Sequence, residues 1–337
     1  PHADPRQISL VYAGEEGLYL DSGSLVARTR LGEVRDAPPT SFDGSHEAVS
    51  CGFELRGSLS AGFSCDGRNP SRELTIDPLV YSTFLGGGGQ EQMYLSRAMT
   101  VDSSGSVYVT GCTWSVDFPV TPGALDTSYA TPSAFVTKLD PTGSTLAYST
   151  FLGSGSCALA LAVDATGNAY VAGYGAFPTT PGGYDTTSNG QQDAAVAKLG
   201  PLGDSLIFGT YLGGREWEGA IGLAVDSSGN VYVAGNTNSD DFPTTPGAYD
   251  TTYAGHGWAD IFASKLNAAG SELLYSTYIG GTVYDYLTSM AIDGAGNAYL
   301  IGWTGSREYP TTPGAFDRVW NDADAFVTKL NAAGSEQ

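Results

Sequence analysis

Val225-Asp-Ser-Ser-Gly-Asn-Val-Tyr-Val-Ala-Gly235 is a block that this chain writes four times. Two earlier copies are Val101-Asp-Ser-Ser-Gly-Ser-Val-Tyr-Val-Thr-Gly and Val163-Asp-Ala-Thr-Gly-Asn-Ala-Tyr-Val-Ala-Gly. A later one is Ile292-Asp-Gly-Ala-Gly-Asn-Ala-Tyr-Leu-Ile-Gly. Each reads as two β-type runs around a tight turn, in which Asp caps the following N–H groups and Gly supplies a positive φ. Working outward, three more blocks keep step. Tyr81-Ser-Thr-Phe-Leu-Gly-Gly recurs from Tyr148, Phe208 and Tyr275, at intervals of 67, 60 and 67 residues. Phe-Pro-x-Thr-Pro-Gly starts at Phe118, Phe177 and Phe242, with Tyr309 opening the fourth copy. The fourth block is Val136-Thr-Lys-Leu, Val196-Ala-Lys-Leu, Ala263-Ser-Lys-Leu and Val327-Thr-Lys-Leu.

Each repeat thus holds four short runs rich in Val, Tyr, Phe and Thr. In the first, strand A is expected near Ala98–Asp102, B near Ser106–Thr113, C near Ala134–Asp140 and D near Thr145–Leu152. The A–B and C–D turns are tight. The B–C link is long, but its fourfold Phe-Pro-x-Thr-Pro-Gly block marks it as ordered. Four antiparallel strands at a fixed period are the signature of a propeller blade. No run with helical periodicity is visible. The expected fold class is all-β: a β-propeller of four four-stranded repeats preceded by a small β domain.

These blocks resemble the bacterial SBBP repeat, a β-propeller repeat of exported proteins, over about 81–337. The stretch ending Arg72-Glu-Leu-Thr-Ile-Asp-Pro78 is similar, more loosely, to the β-rich domain that often precedes such repeats. The resemblance implies an exported, surface-associated protein and supplies neither a reaction nor a ligand. It divides the chain into an N-terminal β-rich domain at 1–77 and a propeller at 78–337. The blades are expected at about 98–152, 157–212, 219–279 and 286–337.

Strand accounting adds a closure. The motif at 79–87 is a lone D strand ahead of the first blade, and the last copy stops after its C strand. Pairing of 79–85 with 326–330 would complete four blades and leave no open sheet edge. The competing reading is a piece of a larger propeller. The chain begins at Pro1 without a Met or signal peptide, which reads as a processed product or a fragment.

Four cysteines are present, without a Cys-x-x-Cys or Cys/His cluster, so zinc is not expected. A hairpin turning at 56–59 puts Cys51 opposite Cys65, a position suited to a disulfide; two buried thiols are the alternative. Cys112 closes strand B of the first blade and Cys157 precedes strand A of the second, so a second bridge is geometrically open. Disulfides would indicate an oxidising, extracellular or cell-surface home.

The 337 residues carry 36 acidic against 15 basic side chains, a formal net charge of −21. Such a surface repels duplex DNA and anionic membranes, so no nucleic-acid partner is expected. No apolar run reaches the length of a membrane span. All four lysines, Lys138, Lys198, Lys265 and Lys329, hold the same place in strand C. A catalytic lysine is needed once, so these read as partly buried structural ammonium groups. Their expected partners are the turn aspartates Asp102, Asp164, Asp226 and Asp293. Those aspartates invite a calcium reading, since Asp-x-x-Gly-Asn looks like part of a metal loop. It lacks the alternating ligands and final Glu of an EF-hand, and turn capping explains it without an ion.

Variation among repeats is concentrated in the D–A loops, where a specific site would be built. Glu91, Glu216, Glu218 and Asp285 could ring the propeller mouth with carboxylates for a cation such as calcium. Trp217, Tyr284 and Tyr286 could stack on a sugar. Solvated loops with packing aromatics are the plainer reading. Trp258 and Trp320 are further candidates for exposed aromatics, whereas Trp303 and Trp114 are expected to be buried. The three histidines, and the lack of a Gly-x-Ser-x-Gly elbow, His-Glu-x-x-His or Walker loop, leave standard catalytic machinery without a counterpart. The leading expectation is a non-catalytic scaffold or binding module whose partner is an extracellular glycan or another surface protein. One alternative is a carbohydrate-active hydrolase or lyase using a Glu216/Glu218 or Glu91/Asp285 acid pair. Another is a structural subunit of a larger extracellular assembly.

Overall fold

Every Asp-x-x-Gly block folds into a hairpin, and the third copy shows how. Strands Glu218–Val225 (A) and Val231–Thr237 (B) run antiparallel with Val225 opposite Val231. Between them Asp226 Oδ1 accepts the N–H groups of Ser228 and Asn230, both at 2.9 Å. The Gly229 N–H returns to the Asp226 carbonyl at 2.9 Å, with Gly229 at φ +81°. An L side chain at that φ is strained, so the turn selects glycine. Strands Asp260–Leu266 (C) and Leu273–Ile279 (D) complete an antiparallel A-B-C-D sheet.

The computed structural model describes residues 9–11, 17–29, 32–36, 38–43, 48–66, 74–77, 82–92 and 98–336. Contacts divide the chain into two units, 1–83 and 84–337. The second unit is built from four such sheets. Blade 1 comprises Met99–Val101, Val107–Thr113, Ser133–Leu139 and Leu146–Phe151, with Glu91–Gln92 pairing to the end of its B strand. Blade 2 comprises Ser154–Val163, Ala169–Ala176, Ala194–Leu199 and Leu206–Leu212. Blade 3 is the sheet above. Blade 4 has three strands, Asp285–Ile292, Ala298–Thr304 and Asp324–Leu330.

A bulge recurs in strand A of blades 2, 3 and 4, between Ala158 and Ala160, Ala220 and Gly222, and Leu287 and Ser289. It swings a backbone carbonyl over the strand-B glycine. A Cβ on Gly235 would meet the Gly219 carbonyl oxygen at 1.9 Å. The recurring Gly after Tyr-Val-Ala is therefore required by close approach of backbone, not by a turn.

The blades pack face to face in sequence order. Tyr170, Ala172, Ala194 and Val196 of blade 2 bury against Leu223, Val233, Phe262 and Leu266 of blade 3. Tyr232, Ala234, Ile261 and Ala263 of blade 3 bury against Leu287, Met290, Leu300 and Phe326 of blade 4. Alternate residues of one strand thus serve two junctions, which is why B and C strands read as unbroken apolar runs. In the first unit, Ser50–Leu55 and Ser60–Asp66 form the expected hairpin. Cys51 faces Cys65 in register and is bonded to it. Cys112 and Cys157 are joined as well, linking blade 1 to blade 2.

The expected ring closure is not shown. Residues 82–87 form no strand, and Asp324–Leu330 pairs only with Ala298–Thr304 among the described strands. Val80 and Tyr81 lie outside the described residues. Three packed junctions satisfy blades 1 to 4 in sequence without joining the last sheet to the first.

Candidate functional site

The repeated lysines come to rest on the turn aspartates of their own blades. Lys138, Lys198, Lys265 and Lys329 Nζ lie 3.2, 3.7, 3.4 and 3.9 Å from Oδ2 of Asp102, Asp164, Asp226 and Asp293. A strand-B tyrosine joins each pair: Tyr108, Tyr170, Tyr232 and Tyr299 donate their hydroxyls to the same Oδ2 atoms. The sequence reading missed the tyrosine, although its place three residues after the turn glycine in all four blocks signals it. Both oxygens of each aspartate are taken, by turn N–H groups on Oδ1 and by lysine and tyrosine on Oδ2, so none is left facing a cation. The hydrogen bond from Ser104, with Lys138 and two N–H groups, holds Asp102 well below the usual carboxylate range. At Asp164 burial pulls upward, but Asn168 and Thr166 outweigh it and hold the group at about 2.

Three of the proposed mouth carboxylates are spent on structure. Glu91, Glu218 and Asp285 begin the A side of blades 1, 3 and 4, and each accepts the N–H of the glycine four residues earlier. Glu218 also accepts the Thr237 hydroxyl at 2.6 Å, and Asp285 that of Ser306 at 2.9 Å. Glu91 accepts Thr113 at 3.0 Å, and Ser115 in a still shorter contact. In blade 2 Ser156 takes this place, accepting the Ala134 N–H. Glu218 and Asp285 are fully buried, which corrects the picture of a carboxylate rim. Burial raises both pKa values. Neither the Glu216/Glu218 nor the Glu91/Asp285 pair can therefore flank a bound substrate, because one member of each faces the protein interior. Among the described residues no three His, Cys, Asp or Glu side chains converge as a metal site.

Glu216 and Trp217 do reach a cleft, of about 660 Å³, between the loops of blades 2 and 3. Gln191, Asn238, Asp240, Tyr253 and His256 line it with them. The D–A loop is pinned from behind: Glu216 N–H donates to Ser239 Oγ at 2.8 Å, and Arg215 pairs with Asp241 at 2.9 Å. Gln191 donates to Glu216 Oε2 at 2.5 Å, and the Asn238 N–H to the Trp217 carbonyl at 2.9 Å. The Trp217 ring sits 6.4 Å from that of Tyr174. Of these lining residues only Glu216 and Trp217 were selected from sequence. The others belong to long B–C loops whose approach to the D–A loop is a tertiary fact.

Tyr284 and Tyr286 lie elsewhere, in an aromatic cluster with Trp258 and Trp303. Ring centroids are 4.9 Å apart for Tyr286–Trp303, 5.1 Å for Tyr284–Trp303 and 6.0 Å for Trp258–Tyr284. Trp303 was expected inside but is 45% exposed, because among the described residues no further sheet covers its face of blade 4. Trp258 and Trp320 are exposed, as expected, and Trp114 is half-buried.

Comparison with known proteins agrees with the repeat reading. The family described as a β-propeller repeat, SBBP, matches residues 207–243 and 274–310. A domain of unknown function, DUF7948, matches 1–79. No curated protein matches the chain. Among solved structures, the endosialidase of phage phi92 aligns at 11% identity and TM-score 0.42, over 96% of this chain and 52% of its own. A protein described as a gluconolactonase aligns at 13% identity and TM-score 0.29, over 82% of this chain and 77% of its own. The chain spans about half the length of the first. What the matches establish is that the chain carries SBBP β-propeller repeats within 207–310, preceded by a DUF7948 domain at 1–79.

Proposed function

We propose that the chain is an exported, non-catalytic binding module of the cell surface or extracellular space, and that the cleft at Glu216 and Trp217 takes a neutral oligosaccharide. The observation that carries this reading is the lining. An indole and a phenol offer apolar faces for sugar rings, while Gln191, Asn238, Glu216 and Asp240 offer donors and acceptors for hydroxyls. The loop is held by Ser239 and Asp241, so little ordering remains to be done on binding. Two disulfides fit an oxidising compartment, and among the described residues no helix is long and apolar enough to cross a membrane. A cation alone is a poorer occupant, because Glu216 is already engaged by Gln191 and Arg215 stands beside it.

A glycan array followed by calorimetric titration tests the proposal. Trp217→Ala should weaken the selected glycan at least about 10-fold, a loss of one stacking contact, and Gln191→Ala by a smaller factor. Binding indifferent to Trp217→Ala refutes the site. Glu216 and Asp240 share the cleft, so the enzyme reading survives in one form. Reducing ends released from a polysaccharide, and lost in Glu216→Gln, would establish it instead.

A further inference from the structure

Two residues that flank the cleft between blades 2 and 3 have counterparts one junction further on. Gln191 stands two positions ahead of Asp193 in the approach to strand C, and Trp217 one position ahead of Glu218 at the start of strand A. Between blades 3 and 4 the same places hold Trp258, two ahead of Asp260, and Tyr284, one ahead of Asp285. The backbone around them repeats as well. Glu218 donates its N–H to the Gln192 carbonyl at 2.7 Å, and Asp285 to the Ala259 carbonyl at 2.8 Å. Ser306 Oγ accepts the Val283 N–H at 2.9 Å, as Ser239 Oγ accepts that of Glu216. Between blades 1 and 2 these places hold Thr131 and Gly155, which offer no ring.

At the blade 3–4 junction both members of the pair are aromatic, and the indole is open. Trp258 is 54% exposed, and its ring stands edge-on to that of Tyr284 with centroids 6.0 Å apart. Its loop is held in place from within. The buried Asp260 carboxylate accepts the N–H groups of Ala254 and Gly255, and the Trp258 N–H returns to the Gly255 carbonyl at 2.8 Å. Tyr253 donates its hydroxyl to the Trp258 carbonyl. The same loop joins the two places, since Tyr253, His256 and Gly257 line the cleft and Trp258 follows directly. We propose that Trp258, backed by Tyr284, is a second stacking subsite continuous with the cleft, so that the ligand is an extended glycan chain rather than a single terminal sugar. This rests on the oligosaccharide reading of the cleft: a chain stacked at Trp217 continues past Gly257 onto the indole. A fixed, exposed indole presents a ring-sized apolar face with little ordering left to do. Changing the side chains of one loop position between repeats, on an unchanged backbone, is how a repeat fold builds such a site.

Calorimetric titration of the full chain with the two-unit and six-unit oligomers of the neutral glycan selected on the array tests it. The wild type should bind the hexamer more tightly than the dimer. Trp258→Ala removes an exposed ring, so the melting temperature should not move. It should weaken the hexamer about 3- to 10-fold, the loss of one stacking contact, and leave the dimer within about twofold. Trp258→Phe should keep most of the hexamer's advantage. Trp217→Ala should weaken both lengths. A hexamer indifferent to Trp258→Ala overturns the second subsite while the cleft reading stands, and so does an equal loss for dimer and hexamer. Lengths that both ignore Trp217→Ala, or an array on which no glycan binds, overturn the cleft reading and the subsite with it.

Discussion

Asp260→Asn should convert a pH-dependent stability into a flatter one, and the structure sets sign and size. Asp260 starts strand C of blade 3 and is fully buried. Its Oδ2 accepts the N–H groups of Ala254 and Gly255 at 2.9 and 3.2 Å, while Oδ1 has no partner. Across the junction stands Asp285, also buried and also with an unpartnered Oδ1. Both carboxylates converge on the space a Cβ on Gly280 would fill, 2.6 Å from Asp260 Oδ1 and 3.0 Å from Asp285 Oδ2. Their oxygens thus lie within about 6 Å, where like charges oppose ionisation. Burial first, and then Asp285, push Asp260 up to about 7. An unfolded Asp ionises near 3.8. Between these values the folded chain holds a proton that the unfolded chain has lost, so this group's stabilisation falls as pH rises from about 4 to about 7. Three pH units at 1.36 kcal/mol each give roughly 4 kcal/mol. Asparagine does not titrate, and its amide can donate toward Asp285. Urea unfolding at a series of pH values should show the variant near wild-type stability at pH 4. Its advantage should grow by several kcal/mol to pH 8. An offset independent of pH, or one that shrinks as pH rises, would refute the reasoning.

The repeated ion pairs should not be equivalent. Lys198→Met leaves Asp164 largely enclosed without its cation and should cost about 1–3 kcal/mol in urea unfolding at pH 7. Lys329→Met, whose side chain is 53% exposed, should cost measurably less, because solvent screens that pair; equal losses would contradict the burial argument. The Cys112→Ser/Cys157→Ser double variant frees a bridge of sequence separation 45, and chain entropy puts the loss at up to about 4 kcal/mol. A melting temperature unchanged under non-reducing conditions would show that the blade 1–2 core holds without it.

Local structure was legible because it repeats and because its causes are local. The Asp-x-x-Gly blocks specify hairpins through an Asx cap and a positive-φ glycine, and four copies leave little room for another period. The register Cys51↔Cys65 follows from one hairpin turn, and its disulfide with it. The lysine–aspartate pairing was legible for the same reason, since both residues belong to one blade. What failed were expectations about which side of a blade meets solvent at Glu218, Asp285 and Trp303. Glu218 and Asp285 looked like loop carboxylates, yet both are buried, and hydroxyls of Thr237 and Ser306 in and just beyond the next strand donate to them. Glu216, two residues from Glu218, lies ahead of the strand in the D–A loop and faces the cleft instead.

Sequence alone therefore determined an all-β chain of four repeats, their strands and turns, and a net charge of −21. The tertiary structure alone decided that 82–87 does not complete blade 4, that Trp303 and Val327 stand open, and that Glu216 and Trp217 share a cleft with two B–C loops. The physical reason is the reach of each interaction. A turn is settled by hydrogen bonds within five residues, whereas exposure depends on whether another sheet arrives. The repeated sequence is nearly the same in blades whose faces are covered and in the one whose face is not.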